Sequence, residues 1–264
     1  MMNVLFLGYG RMGGAMGDAW LESGLATQVL AVDPGLPASD RATVVASVAD
    51  LGTPAVDLII VAVKPAMAAQ VLAALPDALV ENAVVVSVAA GVTLETLRRG
   101  VKGRCPVVRV MPNTAVLVGA GCTGLFADAD VPVPARQRIT GLFQAVGTAY
   151  WVEHEQQLDA VTALSGSGLA YYHLFSEALA AAGTALGLDV DLARRLAVDT
   201  AYGAAALQRQ PEADLVALRQ MVTSPNGTTA AAIDVLEAGG ALRQLIQQAA
   251  SAAARRAEAL SRGE

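Results

Sequence analysis

The stretch Asn3-Val4-Leu5-Phe6-Leu7-Gly8-Tyr9-Gly10-Arg11-Met12-Gly13-Gly14-Ala15-Met16 decides the fold. Its first five residues form a short apolar run with strand character, and a helical stretch follows to Ser23. Between them sits the glycine-rich turn of a dinucleotide-binding βαβ unit. Gly8 permits the tight turn, Gly10 lets the backbone approach a pyrophosphate, and Gly13 lets helix and strand pack closely. The alternative is a strand-to-helix turn that binds nothing. The position of the motif, directly after a strand and before a helix, favours the dinucleotide.

Outward from this turn, β-rich runs alternate with helical stretches. Strands are expected at Val4 to Leu7, Val29 to Val32, Leu58 to Val63, Val84 to Val88 and Val107 to Val110, with a late pair at Thr123 to Leu125 and Ala149 to Val152. Continuous apolar runs such as Leu58-Ile59-Ile60-Val61-Ala62-Val63 suit strands covered on both faces. The alternation predicts an α/β fold, a Rossmann-like doubly wound parallel sheet over residues 1–157. From Asp159 onward alanine-rich helices take over: Tyr171 to Leu186, Leu192 to Arg209, Ala213 to Met221, Ala230 to Glu237 and Leu242 to Leu260. Residues 158–264 therefore read as an all-α dimerisation domain. Its helices make a thin core alone, so a partner subunit is expected against them.

Composition excludes several classes. With 18 basic against 24 acidic residues, the chain has no basic stripe to neutralise phosphates, so no nucleic-acid partner is expected. Pro, Gly or charge breaks the long apolar stretches, so no membrane span is expected. No basic region precedes the first apolar run, which argues against a secretory leader. Cys105 and Cys122 fit no metal spacing and read as free thiols in a reducing cytoplasm. His154 and His173 are the only histidines, which leaves little from which to build a metal site or a serine-hydrolase triad.

Near the other end, Val222-Thr223-Ser224-Pro225-Asn226-Gly227-Thr228-Thr229 reads as a helix start built to hold an anion. Ser224 is expected as N-cap and Pro225 at the first helical position. The N–H groups of Asn226, Gly227 and Thr228 would then lack intrahelical partners and face a carboxylate or phosphate. A well-capped helix without a ligand is the other reading. Asp33, at the end of the second strand, stands where an acidic side chain binds a ribose 2′-hydroxyl. It could equally cap a turn with Pro34 and Gly35.

The motifs accumulate in one order: Gly8-Tyr9-Gly10-Arg11-Met12-Gly13, Ala62-Val63-Lys64-Pro65, Ser87-Val88-Ala89-Ala90-Gly91-Val92, Arg109-Val110-Met111-Pro112-Asn113-Thr114, Ala163-Leu164-Ser165-Gly166-Ser167-Gly168 and Val222 to Thr229. In this order they resemble the pyrroline-5-carboxylate reductases over nearly the whole chain. The resemblance implies hydride transfer from a nicotinamide cofactor to the imine carbon of 1-pyrroline-5-carboxylate, giving L-proline. It implies cofactor contacts at Gly8, Tyr9, Gly10, Arg11 and Met12, at Ala62, Val63, Lys64 and Pro65, at Val88, Ala89 and Ala90, and at Asn113. Substrate contacts fall on Ser224, Asn226, Gly227, Thr228 and Thr229, with the Thr229 hydroxyl on the ring nitrogen as the catalytic group. Asn226 stands where the family commonly has glycine, and asparagine tolerates unusual backbone angles better than most residues. Catalysis is then mainly orientation, with the hydride-bearing carbon held about 3–3.5 Å from the imine carbon.

The family commonly uses NADPH, whereas a carboxylate at Asp33 should repel a 2′-phosphate, so NADPH and NADH both stay open. The resemblance also implies a homodimer, and larger rings of dimers occur in the family. Two other functions share these features in part. A related imine or β-hydroxyacid reductase would keep the fold, but the helical half has no lysine for a lysine-dependent hydroxyacid dehydrogenase. A non-catalytic dinucleotide sensor would have no use for Ser224 to Thr229.

Overall fold

The structure is a computed structural model and describes residues 2–36 and 38–263. The chain divides into two compact units, Met1–Gly166 with Ala253–Glu264, and Ser167–Ala252. In the first, strands and helices alternate as β1 (Met2–Leu7), α1 (Arg11–Glu22), β2 (Ala26–Val32), β3 (Thr43–Val45), β4 (Leu58–Val61), α2 (Ala68–Ala73), α3 (Asp77–Val80), β5 (Val84–Ser87), α4 (Leu94–Gly100), β6 (Val107–Met111), β7 (Gly121–Phe126), α5 (Val133–Gln144), β8 (Gly147–Trp151) and α6 (Gln157–Val161). The strands form one sheet in the order β3-β2-β1-β4-β5-β6-β7-β8.

From β3 to β6 all neighbours are parallel. At β7 the direction reverses: Arg109, Val110 and Met111 pair antiparallel with Phe126, Leu125 and Gly124, and β8 then runs parallel to β7. The sheet is thus parallel from β3 to β6 and reversed at one edge, a departure from the wholly parallel sheet expected. The expected strand to Val63 stops at Val61, where the chain turns into a short 3-10 segment at Pro65–Met67. The three-residue β3 was not foreseen.

Alternation along each strand explains how both faces are buried. Val4 and Phe6 of β1, Leu58 and Ile60 of β4, and Val108 and Val110 of β6 pack on one face with Met16 and Trp20 of α1 and Ile139, Leu142 and Phe143 of α5. Leu5, Leu7, Ile59, Val61, Val85 and Val107 point the other way, onto Leu72, Leu79, Val80 and Leu97 of α2, α3 and α4. Burying each such side chain contributes about 1.5–3 kcal/mol. The indole N–H of Trp20 donates to the Leu142 carbonyl at 2.7 Å, which ties α1 to α5 within that face.

The chain leaves the first unit through a π-helical turn at Thr162–Gly166. The second unit is helical: α7 (Gly168–Ala185), α8 (Val190–Gln208), α9 (Leu215–Met221), α10 (Thr228–Glu237) and the first half of α11 (Ala241–Ser261). Aspartates start two of them. Asp189 accepts from the Asp191 and Leu192 N–H groups, and Asp214 accepts from the Ala217 N–H at 2.6 Å. Within this unit only Gly168, Ala193 and Ala197 are buried among the described residues, while Leu174, Phe175, Leu196 and Tyr202 are exposed. No helix among the described residues is long and apolar enough to cross a membrane.

Candidate active site

Three glycines shape the turn after β1, each for its own reason. Gly8 has φ +90, and a Cβ there would lie 2.8 Å from the Ala62 carbonyl oxygen and 3.1 Å from Val63 Cγ1. Only glycine adopts this backbone and fits against the end of β4. A Cβ on Gly13 would meet the Gly8 carbonyl at 3.0 Å, whereas Gly10 has open space beside it. Gly10 is also the N-cap of α1, and the first intrahelical bond runs from the Gly14 N–H to its carbonyl at 2.8 Å. The N–H groups of Arg11, Met12 and Gly13 therefore precede the first turn of bonds, and the open Gly10 leaves room for an anion to reach them.

Tyr9 differs from its neighbours in the loop. Its ring is buried, edge-on to Phe6 at 5.2 Å, and its hydroxyl donates to Asp18 Oδ1 at 3.1 Å. Burial, reinforced by Asp18, holds the phenol well above its ordinary pKa. Only the backbone of Tyr9 is offered at the loop, and its N–H donates to Asp33 Oδ2 at 2.8 Å. The other oxygen of Asp33 accepts the Gly35 N–H at 2.8 Å, so the turn cap expected as one reading is formed.

The remaining candidate cofactor residues share one edge of the sheet. Strands β1, β2, β4, β5 and β6 are parallel, so Gly8 to Met12, Asp33, Ala62 to Pro65, Val88 to Ala90 and Asn113 all follow strand ends on the same side. That edge, where β1 lies between β2 and β4 and the chain order reverses, is the ligand-binding crevice of open α/β sheets. Lys64 is exposed there, and Pro65 opens the 3-10 turn. Ala89 is buried and its N–H reaches Ser87 Oγ at 3.3 Å, while Val88 and Ala90 are half-buried.

Asn113 has a structural role that its sequence position did not reveal. Its Oδ1 accepts from the Cys122 N–H at 3.1 Å and the Ala115 N–H at 3.3 Å, and its Nδ2 donates to the Ser165 carbonyl at 3.0 Å. One buried amide thus joins the ends of β6 and β7 to the π-helical turn. Arg109 and Arg104 hold the sheet unit together. Arg109 pairs with Glu155 Oε1 at 2.6 Å, an oxygen that also accepts the Leu94 N–H, and Arg104 donates to the Leu75 and Val101 carbonyls and pairs with Asp77.

In the second unit the helix start lies later than the sequence suggested. Gly227 is the N-cap of α10, not Ser224. Ser224, Pro225, Asn226 and Gly227 form a turn closed by the Gly227 N–H donating to the Ser224 carbonyl at 3.0 Å. Proline in the second place and Asn226 at φ +60 in the third give it the pattern of a type II turn. The correction has a physical reason: Pro-Asn-Gly satisfies a turn as well as a helix start, and the turn uses the Gly227 N–H. The free donors become those of Thr228, Thr229 and Ala230, because the first intrahelical bond runs from Ala231 to the Gly227 carbonyl. A Cβ on Gly227 would meet Ser224 Oγ at 2.5 Å and the Ser224 carbonyl oxygen at 3.1 Å, so a side chain here would displace the Ser224 hydroxyl and crowd the turn. Ser224 and Thr228 are exposed, and Thr229 is half-buried.

A glycine-loop helix start at the switch point of a doubly wound sheet, joined to a helical unit with a second helix start, defines a Rossmann-type dinucleotide-binding protein. The chain is 39% identical to the pyrroline-5-carboxylate reductase of Pseudomonas aeruginosa over 266 residues, covering 98% of this chain and 96% of that protein. It belongs to the pyrroline-5-carboxylate reductase family. The Mycobacterium tuberculosis reductase is 40% identical over 290 residues, with 98% and 97% covered. Residues 155–260 match the family model described as pyrroline-5-carboxylate reductase dimerisation, and residues 3–91 match that of NADP oxidoreductase coenzyme F420-dependent. Among solved structures, a pyrroline-5-carboxylate reductase from Coxiella burnetii superposes with a TM-score of 0.87 at 33% identity, and the Plasmodium falciparum enzyme with NADP bound at 0.83 and 26%, each over 98% of both chains.

Proposed function

We propose that this chain reduces the C=N bond of 1-pyrroline-5-carboxylate to give L-proline, with NADPH or NADH as reductant. Family membership supports the reaction class, and the observation that carries the site assignment is the turn that sets Gly227 against Ser224 and frees the N–H groups of Thr228, Thr229 and Ala230. The glycine loop fits a dinucleotide: open space at Gly10 faces the start of α1, whose N–H groups take the pyrophosphate. When bound, the reduced nicotinamide supplies a hydride. Ala62 to Pro65, Val88 to Ala90 and Asn113 line the same edge and orient that cofactor.

The donors at Thr228 to Ala230 hold the substrate carboxylate, assisted by Ser224 and by the Asn226 amide. The Thr229 hydroxyl hydrogen-bonds the ring nitrogen and keeps the proton there, which makes the adjacent carbon the better hydride acceptor. Nucleotide binding is assigned to residues 1–157, and substrate binding and dimerisation to residues 158–264. A second copy covers the exposed apolar side chains of the helical unit, Leu174, Phe175, Leu196 and Tyr202 among them, and dimers assemble further into rings. The free thiols of Cys105 and Cys122 fit a reducing cytoplasm.

Thr229→Val tests this reading. Removing one hydrogen bond made to the reacting group lowers kcat about a hundredfold, with cofactor affinity unchanged. The assay is pyrroline-5-carboxylate reduction, or proline-dependent reduction of the oxidised cofactor at alkaline pH. Unchanged turnover in the variant removes Thr229 from the mechanism, and a wild-type protein that binds cofactor but turns over neither substrate favours the sensor.

A further inference from the structure

NADH and NADPH differ only by a phosphate on the adenosine ribose 2′-oxygen, so their discrimination depends on what the protein places near that oxygen. Asp33 follows β2 at the edge that carries the glycine loop. Its Oδ2 accepts the Tyr9 N–H and its Oδ1 accepts the Gly35 N–H, both at 2.8 Å. These two bonds fix the carboxylate against the loop, and each oxygen keeps a further lone pair free for a hydroxyl donor. A 2′-phosphate at the same place would have no donated hydrogen to offer and would set like charges together.

The segment after Asp33 offers little to offset that repulsion. Among described positions 34–41 the one cation is Arg41, whose guanidinium lies 3.5 Å from the Glu22 carboxylate, and Asp40 beside it adds negative charge. Arg11 heads α1, and its backbone N–H is among those offered to the pyrophosphate common to both cofactors.

We infer that Asp33 makes this chain select NADH over NADPH, accepting the ribose 2′-hydroxyl and repelling a 2′-phosphate. This rests on the dinucleotide reading of the glycine loop given above, and it is assigned to this chain alone, since the Plasmodium falciparum relative holds NADP.

Calorimetric titration of the full-length protein with NADH and with NADPH tests the inference without any turnover. NADH should bind at least about tenfold more tightly, and the kcat/KM values for pyrroline-5-carboxylate reduction should differ in the same sense. Asp33→Ser should shift the ratio of the two dissociation constants toward NADPH by about tenfold or more. Asp33→Asn keeps an acceptor for only one of the Tyr9 and Gly35 N–H groups, so it should shift the ratio in the same direction while lowering the melting temperature less than Asp33→Ser does. Equal or tighter NADPH binding by the wild type overturns the inference. So does a pair of variants that lose both cofactors in equal proportion, because Asp33 is then a turn residue only. Selective NADH binding without turnover supports the selectivity and overturns the proposed reaction, whereas binding of neither dinucleotide overturns the selectivity together with the cofactor reading.

Discussion

Replacing Asn113 with alanine removes three hydrogen bonds at once from a residue that is 6% exposed. The Cys122 and Ala115 N–H groups lose their acceptor and the Ser165 carbonyl loses its donor. Each such bond contributes about 1 kcal/mol net, and the 3.3 Å bond to Ala115 belongs at the weak end, so the expected loss is about 2–4 kcal/mol. For a unit of this size that lowers the melting temperature by roughly 5–15 °C. Asn113→Asp separates the two halves of the amide. It keeps both accepting bonds but turns the donor that faces Ser165 into an oxygen. Burial and that carbonyl favour the protonated acid, so the folded-state pKa rises above the unfolded value of about 3.9. A raised pKa stabilises the fold fully below the unfolded value and loses that contribution as pH rises through the folded value. The aspartate variant should therefore approach wild type near about pH 4 and fall toward the alanine variant at neutral pH. Urea unfolding followed by tryptophan fluorescence measures this directly, because both tryptophans, Trp20 and Trp151, lie in the sheet unit. An alanine variant within about 0.5 kcal/mol of wild type, or a stability deficit of the aspartate variant that does not change with pH, would refute the reasoning.

Three further outcomes follow from the same geometry. Gly8→Ala places a Cβ at φ +90 and 2.8 Å from the Ala62 carbonyl oxygen, so it should destabilise the sheet unit by about 2–4 kcal/mol in urea and weaken dinucleotide binding; a variant with wild-type values of both contradicts the packing argument. Burial pushes the Cys105 thiol up to about 11, leaving about one molecule in a thousand as thiolate at pH 8, so a disulfide reagent should modify half-buried Cys122 first and Cys105 only on unfolding; two equally fast thiols in the native protein would contradict this. Asp159 has its carboxyl raised by burial, against the opposing pull of Arg109 and the Ser261 hydroxyl, so the ionised form costs stability once the pH exceeds the ordinary carboxylate value. Asp159→Asn should flatten the melting-temperature profile from about pH 4 upward, and a steeper profile would reverse the assigned sign.

Local chemistry is what the sequence carried well. The apolar runs at β1, β4, β5 and β6 gave the sheet, because a parallel strand covered on both faces has no polar alternation to confuse its reading. The glycine loop was legible for the same reason: each glycine has a role fixed within a few residues. Strand direction was not legible, since an apolar run reads alike in either sense, and the reversal at β7 is set by pairing with β6 across the short connection through Asn113. β3 escaped because three residues show no periodicity. The start of α10 was misplaced by three residues because Ser-Pro-Asn-Gly is strong turn chemistry as well as good capping chemistry, and only the Gly227 N–H bond distinguishes the two. Asn113 could be flagged as a site residue from its motif, but its partner Ser165 lies 52 residues away. Nothing local in the chain announces that bond. Asp33 shows both cases in one side chain: the bond to Gly35 is readable from Asp-Pro-Gly, and the bond to Tyr9 is not.

Tyr9 occupies a place in the glycine motif where any residue is formally allowed, yet here that freedom is used up by the interior. A side chain on Gly17, one and a half turns into α1, would sit 2.9 Å from the Tyr9 ring. The bare position on the helix and the phenol beneath it therefore belong together: any side chain at residue 17 should push the Tyr9 ring out of the interior, whereas a small residue at position 9 would leave room for one.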